Sequence, residues 1–325
     1  MKKIIFLTTI LLELIVVILI LQNIIKKKER VLGSEAVNPI AKESLIFSEE
    51  GKLKYFYEPV PNETMVDSPE WLSYKATNTI NSDGLNERFD YSLEKPANTF
   101  RIITIGDSHT FGHFVNTKDN YPEQLEDVLN STLSCSSTKR FEVINFGERG
   151  YDIEYSLYRF NMRAKKYNPD LILWYIKDDD LETVNELFIG RIREIEEEIN
   201  SATDSAKYAK LEYVYFAWRK AGEELSQRNM GDYIRSYNIE LLDSFFESLT
   251  ENILLFTYGD DIFSSSRSKI KHYSEKYPSK VYYFEDIFYS QLDRLPDGHP
   301  SVKGYKTLVD KLSKHLIEEK IIPCD

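Results

Sequence analysis

The stretch that most constrains the fold is a short apolar segment that ends in a glycine-flanked serine. Residues 100–105 are mostly apolar and are followed directly by Gly106-Asp107-Ser108-His109-Thr110-Phe111-Gly112. Such a run predicts a buried strand of a parallel sheet, and glycine allows the chain to turn sharply into a helix. A serine at the carboxyl end of this strand faces the crevice where open α/β sheets bind ligands. Ser108 is therefore a candidate nucleophile, although the position is equally typical of a simple strand-end cap.

Predicted strands and helices alternate from this first strand to the C-terminus. Each predicted strand is a short run rich in apolar residues, and the longer segments between them have the period of amphipathic helices. This alternation is typical of an α/β domain in which right-handed crossovers join parallel strands. The later strands are expected at 141–146, 171–176, 253–258 and 281–284, and the helices at 121–133, 153–167 and 305–320.

A histidine near the C-terminus is the candidate base for Ser108. His299 lies in Asp297-Gly298-His299-Pro300-Ser301, where glycine and proline restrict the loop and an aspartate precedes it by two residues. An imidazole base needs a carboxylate to hold its tautomer and to stabilise the imidazolium. The remaining histidines have weaker contexts: His113 follows the serine motif, His272 and His315 lie on charged helices, and His109 is expected to pack or to line the rim.

Together these motifs resemble the GDSL-type, or SGNH, hydrolases, a family of serine esterases and acyl hydrolases. The resemblance extends from about residue 81 to the C-terminus and includes Asn81-Ser82-Asp83-Gly84-Leu85, the serine motif, Tyr121-Pro122-Glu123-Gln124-Leu125 and residues 297–304. It implies a flavodoxin-like three-layer α/β/α fold, with Ser108 as nucleophile and His299 as base. It also implies an oxyanion-binding glycine after the second strand, which is Gly150 or, as the alternative, Gly147. A strand-to-helix turn would also account for either glycine.

The third family motif departs from the usual pattern. That motif carries an asparagine whose amide donates to the oxyanion, but here the third strand is followed by Lys177-Asp178-Asp179-Asp180-Leu181. Asp179 best matches the asparagine, and Asp178 is the second choice. An ionised carboxylate accepts hydrogen bonds and cannot donate one. Because losing one oxyanion donor typically costs about 2.7–4 kcal/mol of transition-state stabilisation, this change would weaken an esterase without abolishing it.

The acid partner of the histidine is also shifted. The family commonly places aspartate three residues before the histidine, where this chain has Pro296. Asp297 is the natural substitute, since a one-residue shift in a loop still allows its carboxylate to reach the imidazole, and Asp293 is the fallback. The two departures keep a second interpretation open, in which the chain is a non-catalytic binding or assembly protein that uses the same fold.

The N-terminus predicts a membrane anchor. Residues 4–25 are almost wholly apolar apart from a few polar positions such as Glu13, and lysines flank them on both sides. Such a length spans a bilayer and exceeds a secretory signal, and no small-residue cleavage site follows closely. The positive-inside rule leans towards a cytoplasmic domain, whereas anchored members of the family commonly work outside the cytoplasm. The expected arrangement is a single-pass anchor with the domain on the extracytoplasmic side.

Two cysteines give evidence on the cellular compartment of the domain. The family fold would bring Cys135, after the first long helix, near Cys324 at the C-terminus. A disulfide between them would require an oxidising compartment. Two free thiols are the alternative.

The chain divides into an anchor at 1–30, a stalk and N-terminal subregion at 31–96, and a hydrolase-like domain at 97–325. An insertion at 181–250 has apolar residues at helical spacing, which predicts amphipathic helices. These helices either cover the flank of the sheet or form a lid over the crevice. In the lid alternative, aromatic residues of the insertion would shape the substrate pocket: Tyr213, Tyr215, Phe216 and Trp218.

The function implied by the resemblance is hydrolysis of acyl esters through an acyl-serine. For an anchored enzyme, O-acetyl or similar groups on an envelope polysaccharide are the expected substrate, with lipid esters next. An acyltransferase that passes the acyl group to a sugar hydroxyl is a further alternative.

Composition limits the other function classes. The formal net charge of −12 argues against general nucleic-acid binding, which needs a basic face. No spacing of His, Cys and Asp matches a closed metal-ligand set, and no cofactor is expected. The 22 tyrosines and 18 phenylalanines are scattered through the chain, which indicates core and rim positions rather than a sugar-binding platform.

Overall fold

A computed structural model describes residues 45–47, 53–132, 135, 139–177, 180–201, 217, 219–225, 228, 230–257, 264–285 and 293–324. The strands in these residues are β1 (Leu45–Phe47), β2 (Tyr57–Pro59), β3 (Thr64–Asp67), β4 (Ala76–Thr79), β5 (Thr99–Ile105), β6 (Arg140–Asn145), β7 (Leu171–Tyr175), β8 (Asn252–Phe256) and β9 (Val281–Phe284). The helices are α1 (Ser108–Phe111), α2 (Tyr121–Ser131), α3 (Ile153–Met162), α4 (Asn185–Ser201), α5 (Gly231–Ser248), α6 (Ser264–Lys276) and α7 (Val302–Glu318).

The expected anchor at 4–25 lies outside the described residues. In the described ranges, the helices are too short or too polar for any of them to span a bilayer.

A five-stranded sheet forms the centre of the domain. Its strands are all parallel and lie in the order β6-β5-β7-β8-β9. The predicted α/β fold with a parallel sheet is therefore confirmed. The first strand to enter the sheet, β5, lies between the second and the third, which is the flavodoxin-like order. The chain reverses direction across the sheet at β5, and this switch point is where such sheets place their ligand crevice.

Helices cover both faces of this sheet. Successive residues of a strand point to opposite sides, and the apolar residues on each side are buried against helices. On β7, Trp174 packs with α3, α5 and α6, whereas Leu173 packs with α2 and α7 on the other face. Both residues are almost completely buried. The result is three layers, with two apolar cores separated by the sheet.

The helix bounds differ in places from the sequence expectation, and α3 ends at Met162 rather than at 167. Helix α6 between β8 and β9 was expected only as a charged helix around His272, without bounds, because it is mostly polar and contributes chiefly Ile270 and Tyr273 to the core. The last helix begins at Val302, three residues before the expected start, because Ser301 caps it. The Ser301 hydroxyl accepts a hydrogen bond from the Gly304 N–H at 3.2 Å, which is the usual role of an N-cap serine.

Two antiparallel strand pairs precede the sheet, β1 with β2 and β3 with β4. They pack against loops at the carboxyl edge of the sheet. The Tyr57 hydroxyl donates to the Arg149 carbonyl at 2.5 Å, and the Asn78 amide donates to the Val115 carbonyl at 2.9 Å. The segment 53–96 thus packs against the domain.

The described part of the insertion packs along the domain. Phe245 of α5 meets Trp174 of the sheet edge-to-face, with ring centroids 5.6 Å apart. Glu186 of α4 accepts hydrogen bonds from the Tyr155 hydroxyl at 2.8 Å and from the Lys54 N–H at 2.7 Å. Helix α5 therefore covers a face of the sheet. The four aromatic residues considered for a lid, Tyr213, Tyr215, Phe216 and Trp218, lie outside the described residues.

A disulfide joins Cys135 to Cys324, which are 189 residues apart in the chain. Because α2 and α7 pack in the same core layer, the two cysteines come together where these helices end. The bond ties the C-terminus to the turn that leads into β6.

Removing this disulfide is expected to destabilise the domain. A Cys135→Ser/Cys324→Ser double variant should lose about 2–5 kcal/mol of unfolding free energy, the range for native disulfides in small domains. Urea denaturation of both proteins measures the difference. The wild type in reducing agent is the matched control and should unfold at the same urea concentration as the variant. Equal midpoints for the oxidised wild type and the variant would contradict the bond.

A buried carboxyl cluster lies beside β6. Glu87 is fully buried, and one of its carboxyl oxygens accepts a hydrogen bond from the Asn145 N–H. Burial, and then repulsion from Glu123 and Glu126, raises the pKa of Glu87 well above its ordinary value of 4.5. The native state therefore keeps a proton that the unfolded chain releases above that pH. The free energy of unfolding is therefore not reduced by Glu87 below about pH 4.5. It decreases as the pH rises from there to the native pKa, because only the unfolded chain then loses the proton.

A Glu87→Gln variant should flatten this pH dependence. Glutamine keeps the shape and the acceptor for Asn145 but cannot ionise. At pH 8 the variant should melt above the wild type, by about 2–4 °C per kcal/mol gained, and the gap should shrink towards pH 5. Calorimetry between pH 5 and 8 checks this, with Glu94→Gln at an exposed site as control. A gap that stays constant across this range would refute the explanation.

Candidate active site

The end of β5 places Ser108 at the carboxyl edge of the sheet. Gly106 has φ +144°, and a Cβ there would lie 2.5 Å from Thr110 Oγ1 and 2.8 Å from the Tyr175 carbonyl oxygen. Only glycine fits this turn. Asp107 then caps α1 by accepting the His109 N–H at 2.9 Å, so Ser108 becomes the first residue of the helix, with its amide at the positive helix end.

Ser108, His299 and Asp297 form a hydrogen-bonded chain. Ser108 Oγ lies 2.8 Å from His299 Nε2, and His299 Nδ1 lies 2.7 Å from Asp297 Oδ2. Ser108 and His299 are buried, with exposed fractions of 4% and 2%. This is the connectivity of a nucleophile, a base and an orienting acid. The loop carrying the acid and the base needs Gly298, whose φ is +104°, a conformation that favours glycine.

The two aspartates considered as the acid have different partners. Asp297 contacts His299, whereas the Asp293 carboxylate pairs with Lys303 at 2.7 Å. Burial raises the pKa of Asp297, but the hydrogen bond and charge of His299 outweigh burial, so the pKa lies below its ordinary value. Asp297 is therefore ionised at neutral pH and is suited to hold a proton on His299 Nδ1.

The two glycines considered for the oxyanion site differ in their surroundings. The Gly147 N–H donates to Asn145 Oδ1 at 3.0 Å, and a Cβ on Gly147 would lie 2.5 Å from Thr110 Cβ. Gly147 thus serves the close packing of this turn against α1. The Gly150 and Ser108 amides have no acceptor in the part of the chain that the structure describes. The turn lies beside the serine loop, since the Glu148 N–H donates to the Gly106 carbonyl at 3.1 Å.

Of the third motif, Asp178 and Asp179 lie outside the described residues. The neighbouring Lys177 extends towards the serine loop, where its Nζ lies 3.3 Å from Asp107 Oδ2. Burial raises the pKa of Asp107, but Lys177 and His109 overcome this effect and hold the pKa well below its ordinary value. The negative charge on the helix cap is thereby retained. This role for Lys177 was not predicted from the sequence, because it depends on the approach of β5 and β7.

Two histidines with weak sequence contexts lie against His299. The His109 ring stacks on the His299 ring with centroids 4.7 Å apart, and the His113 ring meets it edge-on at 5.1 Å. Burial lowers the pKa of His113 to about 3, although Asp67 opposes this shift. His113 is therefore neutral at physiological pH. The position of His113 in the loop after the serine motif was the one signal that could have placed it in the site.

The β3–β4 loop closes one side of the site through ionic contacts. Asp67 lies 3.3 Å from the Arg149 guanidinium and 3.7 Å from His113 Nε2. These contacts fix the segment that follows Asp67 next to the loop after α1. The sequence assigned this segment to the N-terminal subregion and did not predict its contact with the site.

Comparison with known proteins gives structural neighbours only. No protein-family model matches the chain, and no curated protein matches it. A protein assigned to the G-D-S-L lipolytic family from Desulfitobacterium hafniense is 14% identical, with 66% of this chain and 98% of that chain covered and a TM-score of 0.37. The psychrotrophic esterase EstA from Pseudoalteromonas sp. is 13% identical, with coverages of 69% and 100% and a TM-score of 0.41.

A third solved neighbour is a family 3 carbohydrate esterase from Clostridium thermocellum. It is 16% identical, with 68% of this chain and 96% of that chain covered and a TM-score of 0.42. The solved structures similar to this chain thus include G-D-S-L-family and esterase proteins, the class that its serine and histidine motifs resemble.

Proposed function

We propose that the protein is a serine ester hydrolase that cleaves acyl esters through an acyl-serine intermediate. The observation that carries the proposal is the chain of hydrogen bonds from Ser108 Oγ through His299 to Asp297, at 2.8 and 2.7 Å. A buried serine whose hydroxyl contacts an imidazole held by an ionised carboxylate is arranged for nucleophilic attack.

Acylation begins when Ser108 Oγ bonds to the ester carbonyl carbon. His299 Nε2 takes the hydroxyl proton, and Asp297 stabilises the imidazolium that forms. The carbonyl oxygen gains a negative charge, for which the Ser108 and Gly150 amides are the proposed donors. Both amides lack another acceptor among the described residues. Donors that are oriented before reaction stabilise this charge without reorganisation.

The tetrahedral intermediate then collapses, and the bond to the alcohol oxygen breaks. His299 gives its proton to this oxygen, so the alcohol leaves and the acyl group remains on Ser108. A water molecule next attacks the acyl-serine while His299 again accepts a proton. The carboxylic acid leaves and the Ser108 hydroxyl is restored. Side chains and amides of this chain perform every proton transfer and charge stabilisation, so the proposal calls for no metal or cofactor.

Labelling with a fluorophosphonate tests whether Ser108 is activated. The full-length protein should react covalently at Ser108, and peptide mass spectrometry should locate the adduct. A Ser108→Ala variant should remain unlabelled, whereas Ser313→Ala, which removes a buried serine hydroxyl from α7, should label like the wild type. A folded wild-type protein that takes up no label would reject the esterase and favour the non-catalytic binding protein.

The proposed setting is the outer side of a membrane, with acyl esters on an envelope polysaccharide as substrate. The apolar residues 4–25 support an N-terminal anchor. The Cys135–Cys324 disulfide supports an oxidising compartment. An alkaline phosphatase reporter fused after Asp325 should be active in this orientation. An inactive phosphatase fusion together with a fluorescent cytoplasmic reporter fusion would place the domain in the cytoplasm and reject this setting.

A further inference from the structure

An exposed tryptophan lies two aromatic contacts from the histidine of the site. The Trp71 ring meets the Phe114 ring edge-on at 4.8 Å, and Phe114 meets the His299 ring at 5.5 Å. Phe114 is buried, whereas Trp71 is 38% exposed. An aromatic path thus leads from solvent to His299. The proposed hydrolysis mechanism uses neither of the two rings.

The position of Phe114 is held by the same loop that carries the tryptophan. The Tyr74 hydroxyl donates to the Phe114 carbonyl at 2.8 Å. Phe114 has φ +64°, in the left-handed region. Bulky residues rarely adopt this conformation, and such residues concentrate at functional sites. The loop therefore keeps Phe114 in an unfavourable backbone conformation that places its ring between Trp71 and His299.

The chemistry of the site decides which part of the substrate would meet these rings. His299 must deliver a proton to the leaving alcohol oxygen, so the alcohol half of the ester lies beside the imidazole. The carbonyl oxygen instead faces the Ser108 and Gly150 amides. Phe114 touches His299, and Trp71 extends from Phe114 towards solvent. The rings therefore belong to the alcohol side of the site.

The surroundings of Trp71 favour a sugar over a lipid. Its exposed neighbours in the sequence are the polar residues Glu70, Ser73 and Lys75 and the amphipathic Tyr74. A long hydrocarbon chain needs a continuous apolar wall, whereas a pyranose stacks its C–H face on one ring and offers hydroxyls to polar groups. We propose that Trp71, backed by Phe114, is a subsite for a sugar ring in the alcohol half of the substrate. This inference rests on the esterase function proposed above.

Three esters separate the alcohol half from the acyl half: ethyl acetate, ethyl octanoate and methyl 6-O-acetyl-β-D-glucopyranoside. The measured quantity is the ratio of kcat/KM for each larger ester to that for ethyl acetate, with full-length protein. Trp71→Ala should lower the sugar-ester ratio about tenfold, which corresponds to ~1.4 kcal/mol. Most of the change should be in KM, and the octanoate ratio should not change.

Matched variants separate stacking from structural damage. Trp71→Phe keeps a flat ring and should retain most of the sugar-ester ratio. Trp71→Leu keeps an apolar contact for Phe114 without a flat face, and it should lower the sugar-ester ratio as Trp71→Ala does. This variant therefore tests the subsite even if Trp71→Ala fails to fold. Phe89→Ala removes another exposed aromatic ring, one that contacts Arg88, and should leave both ratios unchanged.

Failure of the function and failure of the subsite give different results. A wild type that hydrolyses none of the three esters would overturn the esterase, and the subsite with it. An active wild type whose sugar-ester ratio survives both Trp71→Ala and Trp71→Leu would overturn the subsite alone. A selective loss of the octanoate ratio would show that the ring binds the acyl chain, which also overturns the sugar subsite.

Discussion

The Ser108→Ala variant should lose about 10⁴-fold or more in kcat/KM for p-nitrophenyl acetate. Alanine leaves His299 and Asp297 with no hydroxyl to activate, so no acyl-serine can form. The amides of residue 108 and Gly150, the proposed oxyanion donors, remain in place, which is why a small residual rate above that of water alone is expected. Release of p-nitrophenolate at pH 8 measures the effect.

The Ser313→Ala variant is the matched control, because it also removes one buried serine hydroxyl. Its rate should equal that of the wild type. The melting temperature of Ser108→Ala should stay close to the wild-type value, so that lost activity is not lost structure. Full esterase activity in a folded Ser108→Ala protein would rule out Ser108 as the nucleophile.

The Asp297→Asn variant should lose about 10⁴-fold in kcat, the effect of this change in a serine triad of known geometry. Asparagine can hydrogen-bond His299 Nδ1 while leaving the imidazole in the wrong tautomer, and it cannot stabilise the imidazolium. Because the change acts on the chemical step, KM should change much less than kcat. Steady-state kinetics with p-nitrophenyl acetate separates the two parameters.

Asp293→Asn is the control for the shifted acid position. The Asp293 carboxylate is buried and pairs with Lys303 rather than with His299, so its replacement by the isosteric asparagine should lower kcat far less than Asp297→Asn does. A large loss of kcat in Asp293→Asn with near-normal activity in Asp297→Asn would transfer the acid role to Asp293.

Much of the fold follows from patterns that act over short distances along the chain. Five apolar runs at strand length predicted the five parallel strands, and β9 (Val281–Phe284) was predicted with its observed bounds. Helix α6 was predicted only as a charged helix around His272, without bounds, because its apolar contacts come from only a few positions. Its formation depends on packing against the sheet, and a mostly polar helix leaves little periodicity in the sequence.

The candidate site likewise combines features that local sequence predicts with contacts that it does not. Local motifs were enough to choose Ser108, His299 and Asp297, because a tight glycine turn and an acid next to a base each need particular residues at short spacing. The contacts of Lys177 with Asp107 and of Phe114 with His299 were not predicted. Each joins segments that are distant in sequence, and no local pattern encodes such a meeting.

The amino-acid sequence by itself determined the alternation of strands and helices, the glycine-flanked serine and the acid–base pair near the C-terminus. It did so because local conformation and the spacing of reactive groups depend on neighbouring residues. Only the tertiary structure decided that Ser108 Oγ and His299 Nε2, 191 residues apart, lie 2.8 Å from each other. Only the tertiary structure brought Trp71 against Phe114 and Phe114 against His299, because these contacts join segments that are distant in sequence.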